Sequence, residues 1–216
     1  MNVMAIGAHP DDIEFGCSGT IVKHIRNGDN VVYVCMTSTQ SVDATTGKTI
    51  RSEDELTNEV FCSTKVLGVR AIEFLPFEDL HVPFSFESVS SLEKLIKSHK
   101  IDTIYTHWAG DSNQDHIATF KITMAAARYV PNVFCYEQIP IPRHTENPMS
   151  VNYYSDISDT FHLKIRASEC HKSQFKKYKA AGFDVSRNLK VMAQYRGIEA
   201  NCQYAEGFQV IKMVDK

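Results

Sequence analysis

Four side chains able to hold a cation lie in one short run, His9-Pro10-Asp11-Asp12-Ile13-Glu14. Carboxylates this close repel one another, and a cation is the least costly way to hold them together. Histidine with carboxylate is a ligand set that suits Zn²⁺, and another divalent ion such as Fe²⁺ is also compatible. Pro10 fixes the chain locally and biases His9 toward an extended conformation. Adjacent Asp11 and Asp12 cannot play the same role: one can ligate while the other faces a bound water. The same acidic run also suits the first turn of a helix, where capping and the dipole favour Asp and Glu.

A second cluster offers His107, Asp111, Asp115 and His116. His9, Asp12 and His116 together make a His₂Asp set with one position left open for water, the pattern of a catalytic zinc. Such an ion lowers the pKa of its water to about 7. Asp115, beside His116, fits the carboxylate that orients a ligand. A capped helix start accounts for Asp115 and His116 as well. His107 reads first as a rim residue and second as a ligand.

The elements that must position these residues are strands and helices in alternation. Val3 to Ile6, Val31 to Met36, Ala71 to Leu75, Ile101 to Thr106 and Val133 to Tyr136 read as strands. Helical patterns fall between them at 20–27, 53–67, around Leu92 to Ile96, and at 116–129. That order predicts an α/β fold, with a mostly parallel sheet covered by helices on both faces. Both clusters then follow strands at one sheet edge, where open parallel sheets bind ligands. Beyond about residue 140 the pattern is less regular. A Pro-rich stretch at 139–148 reads as part of a long rim loop running to about 158. A charged helix near 162–178, a helix near 186–198 and a strand near 206–214 follow. No repeat or linker interrupts the chain, so residues 1–216 read as one domain.

Composition excludes several classes. Hydrophobic residues are 43% and charged residues 23% of the 216, the globular norm. A net charge of −3 disfavours a large phosphate footprint, so no nucleic acid is expected. No apolar run approaches the roughly 18 residues of a membrane span. The N-terminus lacks the basic region of a signal peptide, and a cytoplasmic location is expected. The six cysteines form no CxxC pair and read as small core residues rather than as disulfides. Gly16 and Gly19 do not make the G-x-G-x-x-G of a nucleotide binder.

The run Ala8 to Glu14 resembles the A-H-P-D-D-x-E signature of the LmbE-like, or PIG-L, zinc-dependent N-deacetylases. Gln114-Asp115-His116 is similar to the family's second motif, x-D-H. Segments 49–69, 133–140, 156–174 and 204–208 resemble further family segments in the expected order, so the resemblance covers nearly the whole chain. It implies a three-layer α/β/α sandwich with a Rossmann-like sheet. It implies zinc on His9, Asp12 and His116, Asp11 as general base, and Arg51 against the sugar. The substrate implied is a small N-acetylated amino sugar or its conjugate, and homo-oligomers occur in the family. One departure is Asn113, where many members carry histidine. Asn113 can donate a hydrogen bond to an oxyanion but cannot deliver a proton. Asp11 acting twice, His107 or His144 would then supply the acid. His107, His144 and Trp108 are expected to face substrate, Trp108 by stacking on a sugar ring or by packing alone. A metal-dependent amidase acting on another conjugate, and a sugar-binding member without catalysis, are the alternative readings.

Overall fold

A computed structural model describes residues 1–42, 46–138 and 148–215. The central sheet has seven strands in the order β5-β2-β1-β6-β7-β9-β8. These are β1 (Asn2–Gly7), β2 (Asn30–Thr37), β5 (Ala71–Phe77), β6 (Thr103–Thr106), β7 (Asn132–Tyr136), β8 (Tyr153–Asp156) and β9 (Ala205–Lys212). The first five of them run parallel; β9 is antiparallel to both β7 and β8. A two-stranded ribbon, β3 (Ser41–Val42) with β4 (Thr49–Arg51), stands apart.

Alternation along β1 feeds both faces of the sheet. Val3 and Ala5 enter one core with Ile13 and Cys17, Ile21 and Val22 of α2 (Ser18–Arg26) and Val60 of α3 (Glu53–Leu67). Met4 and Ile6 enter the other with Leu92 and Ile96 of α4 (Phe86–Ser98) and Ile122 of α5 (Gln114–Ala126). A strand buried on both faces needs a continuous apolar run, which β1 and β2 supply. α1 (Asp12–Gly16) is a single short turn ahead of α2. The remaining helices are α6 (Phe161–Ser168), α7 (Lys172–Ala180) and α8 (Val185–Ala200).

Chain order reverses between β1 and β6. From β1 the chain moves outward through β2 to β5, then returns to place β6 on the other side of β1. A crevice opens beyond the carboxyl ends of strands at such a reversal. The segments leaving β1 and β6 therefore meet there.

Several expectations are corrected. The charged helix expected near 162–178 is two helices, α6 and α7, broken so that His171 is buried against Glu14 and Glu59. β8 lies within the stretch read as loop, because its strand character comes from pairing with β9. The short β3–β4 ribbon was not legible either. Cys62 and Cys170 form a disulfide with Cα atoms 5.7 Å apart, a pairing hidden by 108 residues of separation. Cys17, Cys35 and Cys135 are buried core residues as expected. The Pro-rich rim stretch, apart from Pro148, lies outside the described residues.

Candidate active site

Gly7 ends β1, and a Cβ there would stand 3.0 Å from the His9 carbonyl and 3.1 Å from Asp12 Cβ. Its absence lets the chain turn sharply over the strand end. His9 N donates to Asp12 Oδ2 at 2.7 Å, closing the turn. Asp11 sits at φ 137° and ψ −21°, a region L-residues rarely occupy. Such a residue costs on the order of 1–3 kcal/mol and persists only where its surroundings over-determine it. Here they do: Arg51 Nη1 donates to the Pro10 carbonyl at 3.1 Å, and Phe15 N donates to the Asp11 carbonyl at 2.9 Å.

Donor atoms of three residues converge above this turn. His9 Nδ1 and His116 Nε2 are 3.3 Å apart, His116 Nε2 and Asp12 Oδ1 3.3 Å, and His9 Nδ1 and Asp12 Oδ2 3.5 Å. Atoms about 2.0–2.1 Å from a tetrahedral zinc lie roughly 3.3–3.4 Å apart. Both the spacing and the donor types fit such an ion, and His9, Asp12 and His116 can hold one.

Each histidine is oriented by carboxylates on its far nitrogen. His116 Nδ1 lies 2.8 Å from Asp111 Oδ2. His9 Nε2 lies 3.0 Å from Asp115 Oδ2 and 3.1 Å from Asp79 Oδ1. These distances are those of hydrogen bonds, so Asp79, Asp111 and Asp115 aim the histidines rather than join the trio. Asp115 is itself fixed by backbone N–H groups of Leu80 at 2.7 Å and Val82 at 3.1 Å. Leu80 adopts φ 67°, and its carbonyl accepts from Gln114 Nε2 at 2.9 Å, so the loop after β5 is held on the start of α5. Gln138 Nε2 donates to Asp12 Oδ1 at 2.8 Å.

Electrostatics separate the adjacent carboxyls. Burial and the charge of Asp12 push Asp11 up to about 6, against the pull of Arg51. Burial opposes ionisation of Asp12, but His116 and His107 outweigh it and hold that carboxyl well below the usual range. Burial lowers His9, yet Asp115, Asp12 and Asp79 more than offset it and raise it well above 6.5. His116 is raised too, burial being overcome by Asp12 and Asp111.

The other expected residues fall in different places. Asn113 caps α5, its side chain accepting from Asp115 N at 2.8 Å, which commits its carbonyl oxygen. Trp108 is half-buried in the segment leaving β6, at the same sheet edge. His107 was expected to face substrate but is fully buried behind Asp12, stacked on His116 with ring centroids 3.9 Å apart. Burial and His116 push it down to about 4, so it is neutral at pH 7. Arg51 was expected against the sugar but is buried beneath Asp11, between the Pro10 carbonyl, Ser41 and Glu59. His144 lies outside the described residues.

A charged floor under the turn was missed by sequence reasoning. Glu14 is buried and accepts from Ser63 Oγ at 2.6 Å and Tyr33 Oη at 3.1 Å. His171 Nε2 lies 3.4 Å from Glu14 Oε1, and His171 Nδ1 4.0 Å from Glu59 Oε2. Glu59 also accepts from Ser173 N and Oγ, each at 2.7 Å. The acidic signature signalled Glu14. Glu59, Gln138 and His171 fall in segments that resemble the family but were not singled out there, and nothing local signals Asp79; all four reach the site from elements far away in the chain.

The fold and site together define a Rossmann-like α/β protein with a His–carboxylate cluster able to hold a metal ion at its sheet reversal. Residues 4–127 match the family profile described as PIG-L, GlcNAc-PI de-N-acetylase, and the chain belongs to that family. It is 31% identical over 177 residues to the uncharacterized deacetylase YaiS of Escherichia coli (strain K12), covering 79% of this chain and 90% of that one. It is 28% identical to the diacetylchitobiose deacetylase of Thermococcus kodakarensis, covering 97% of this chain and 82% of the relative. Among solved structures, GalB, the 4-carboxy-2-hydroxymuconate hydratase of Pseudomonas putida KT2440, superposes with a TM-score of 0.82 at 18% identity, covering 100% and 98%. That last likeness is one of fold. It also means the fold alone does not choose the reaction.

Proposed function

We propose that this protein is a zinc-dependent hydrolase that removes the acetyl group from an N-acetylated amino sugar or its conjugate. The observation that carries the reading is the convergence of His9 Nδ1, Asp12 and His116 Nε2 at 3.3–3.5 Å beside a strained, buried Asp11. Two deacetylase relatives support the reaction class, one of them named for an N-acetylated disaccharide. Fe²⁺ is compatible with the same ligands.

The chemistry that bound zinc supplies is polarisation of the acyl carbonyl and acidification of a water. Asp11, buried beside Asp12 with its carboxyl raised toward neutral pH, would serve as the general base toward a water there. Asp11 then returns the proton to the departing amine. Two observations favour this role: Asn113 cannot carry a proton, and His107 has no solvent access, which leaves His144 as the rival acid. The Asn113 amide donates to the oxyanion, its carbonyl oxygen being engaged by Asp115 N. Asp115 keeps His9 aimed inward, and Arg51 keeps the Pro10–Asp11 turn in place. Trp108 and His144 are the candidates to meet the sugar, with no nucleic-acid or membrane partner. The setting proposed is cytoplasmic, with residues 1–216 acting as one unit.

The test is acetate release by the metal-loaded protein across N-acetylglucosamine, diacetylchitobiose and nucleotide- or glycan-linked derivatives. Release from at least one is expected. Asp11→Asn should lower that rate by about 10²–10⁴-fold and keep its metal. Absence of acetate from every substrate, with zinc or iron bound, sinks the reading. An Asp11→Asn variant at near wild-type rate sinks the base assignment.

A further inference from the structure

We propose that Cys62–Cys170 is a thiol–disulfide modification site whose state sets the rigidity of the floor beneath Asp11. The disulfide ties α3 to the break between α6 and α7. Its neighbours in sequence are the residues of the floor. Glu59 precedes Cys62 by one helical turn and Ser63 follows it directly. Glu59 accepts from Arg51 Nη1 at 3.3 Å, and Ser63 donates to Glu14 at 2.6 Å. His171 follows Cys170 directly and stands between Glu14 and Glu59. Ser173, two residues further on, is bound twice to Glu59. The covalent link therefore spans the two segments whose side chains meet under Arg51 and the Pro10–Asp11 turn.

Access is asymmetric. Cys62 is exposed on α3, while Cys170 is buried. An incoming thiolate reaches the Cys62 sulfur first. Cys17, Cys35 and Cys135 are buried, and burial raises their thiol pKa values, so they stay inert. Cys202 is free and partly exposed but lies far along the chain from the floor segments, so Cys62–Cys170 is the pair that links them.

The co-reactant is a dithiol reductant. Its thiolate bonds to Cys62 Sγ, the S–S bond breaks, and Cys170 leaves as a thiolate that takes a proton. The reductant's second thiolate attacks its own sulfur of the mixed disulfide. Cys62 is released and protonated, and the reductant departs as a cyclic disulfide. The protein gains two electrons and two protons. Re-oxidation is the reverse, with a disulfide oxidant.

The test compares full-length protein purified without reductant, the same protein after dithiothreitol treatment and desalting, and Cys62→Ala. Peptide mapping of the untreated protein should recover the Cys62 and Cys170 peptides joined. Hydrogen exchange should then accelerate by about tenfold or more at residues 51–63 and 168–174 in both unlinked forms, with β1 and β6 unchanged. Deacetylase turnover should fall in parallel. Cys62 and Cys170 recovered as free thiols from the untreated protein overturn the proposal. So does unchanged exchange at those segments, or acceleration spread equally over β1 and β6, which marks a purely global clamp. If Cys62→Ala does not fold, the dithiothreitol-treated protein decides. The exchange readout uses no substrate, so failure of the deacetylase reading leaves it standing and is seen separately, as a linked and rigid protein that releases no acetate.

Discussion

Asp11 is the residue that the site is built to hold. A positive-φ, buried carboxyl is held locally by Phe15 N on its carbonyl and non-locally by Arg51 on the Pro10 carbonyl. The same economy explains the histidines. Each gives one nitrogen to a carboxylate so that the other points at its partners. A proton linkage follows. Without metal, His9 and His116 are raised above 6.5 by Asp115, Asp12, Asp79 and Asp111, against the opposing effect of burial. A ligating imidazole must be neutral, so zinc uptake near pH 7 has to expel protons. Affinity should therefore rise with pH through the near-neutral range and weaken below it. Calorimetry of zinc binding in buffers of different ionisation enthalpy should report net proton release; none released would contradict the pairing drawn here.

At the scale of elements, the junction of α1 and α2 is what sets the signature turn against the sheet. Gly16 permits it, since a Cβ there would fall 2.3 Å from the Tyr136 ring. Tyr136 in turn donates to the Ile6 carbonyl at 2.8 Å. The helix ends are held by a buried ion pair. Lys164 Nζ donates to the Phe15 carbonyl at 2.8 Å and to Glu206 Oε1 at 2.7 Å. Glu206 accepts from Gly19 N at 2.9 Å and Thr20 N at 2.8 Å, at the positive end of α2. Glu206→Gln strands a buried ammonium, which costs about 3–5 kcal/mol. Adding Lys164→Met should recover part of that loss in chemical denaturation. No loss in the single variant would show that the pair is dispensable.

Across the whole molecule, the sheet reversal brings the segments after β1 and β6 together, and a ligand that binds only their joined form stabilises the folded state. Metal at 1,000 times its Kd adds about 4 kcal/mol. For 216 residues that is roughly 8–16 °C in Tm. Removal by chelation should lower the thermal midpoint by that order, and zinc should restore it; an unchanged midpoint would mean that no folded-state metal site exists. Among the described residues no helix is long and apolar enough to cross a membrane.

Much of this was legible in the chain. β1, β2, β6 and β7 announced themselves by apolar runs, because a strand buried on both faces has no polar alternation to confuse it, and the half-buried edge strand β5 was still readable from Ala71 to Leu75. α3 was legible to the residue: Ser52 caps it reciprocally with Glu55, and Gly68 at φ 85° stops it. The His9, Asp12 and His116 cluster was legible because its members sit in short, dense motifs. What escaped was whatever depends on pairing at a distance. β8 is a strand by virtue of β9, and the helix expected over 162–178 breaks so that His171 can be buried. Cys62 found Cys170 across 108 residues. Local composition determined the elements and the two clusters of candidate ligands, since propensity and motif act within a few residues. Only the tertiary structure decided which charges share a buried space, because that follows from chain crossings that no local pattern encodes. It buried Arg51 and His107, and it brought Asp79, Glu59 and Gln138 to one site from separate stretches of the chain.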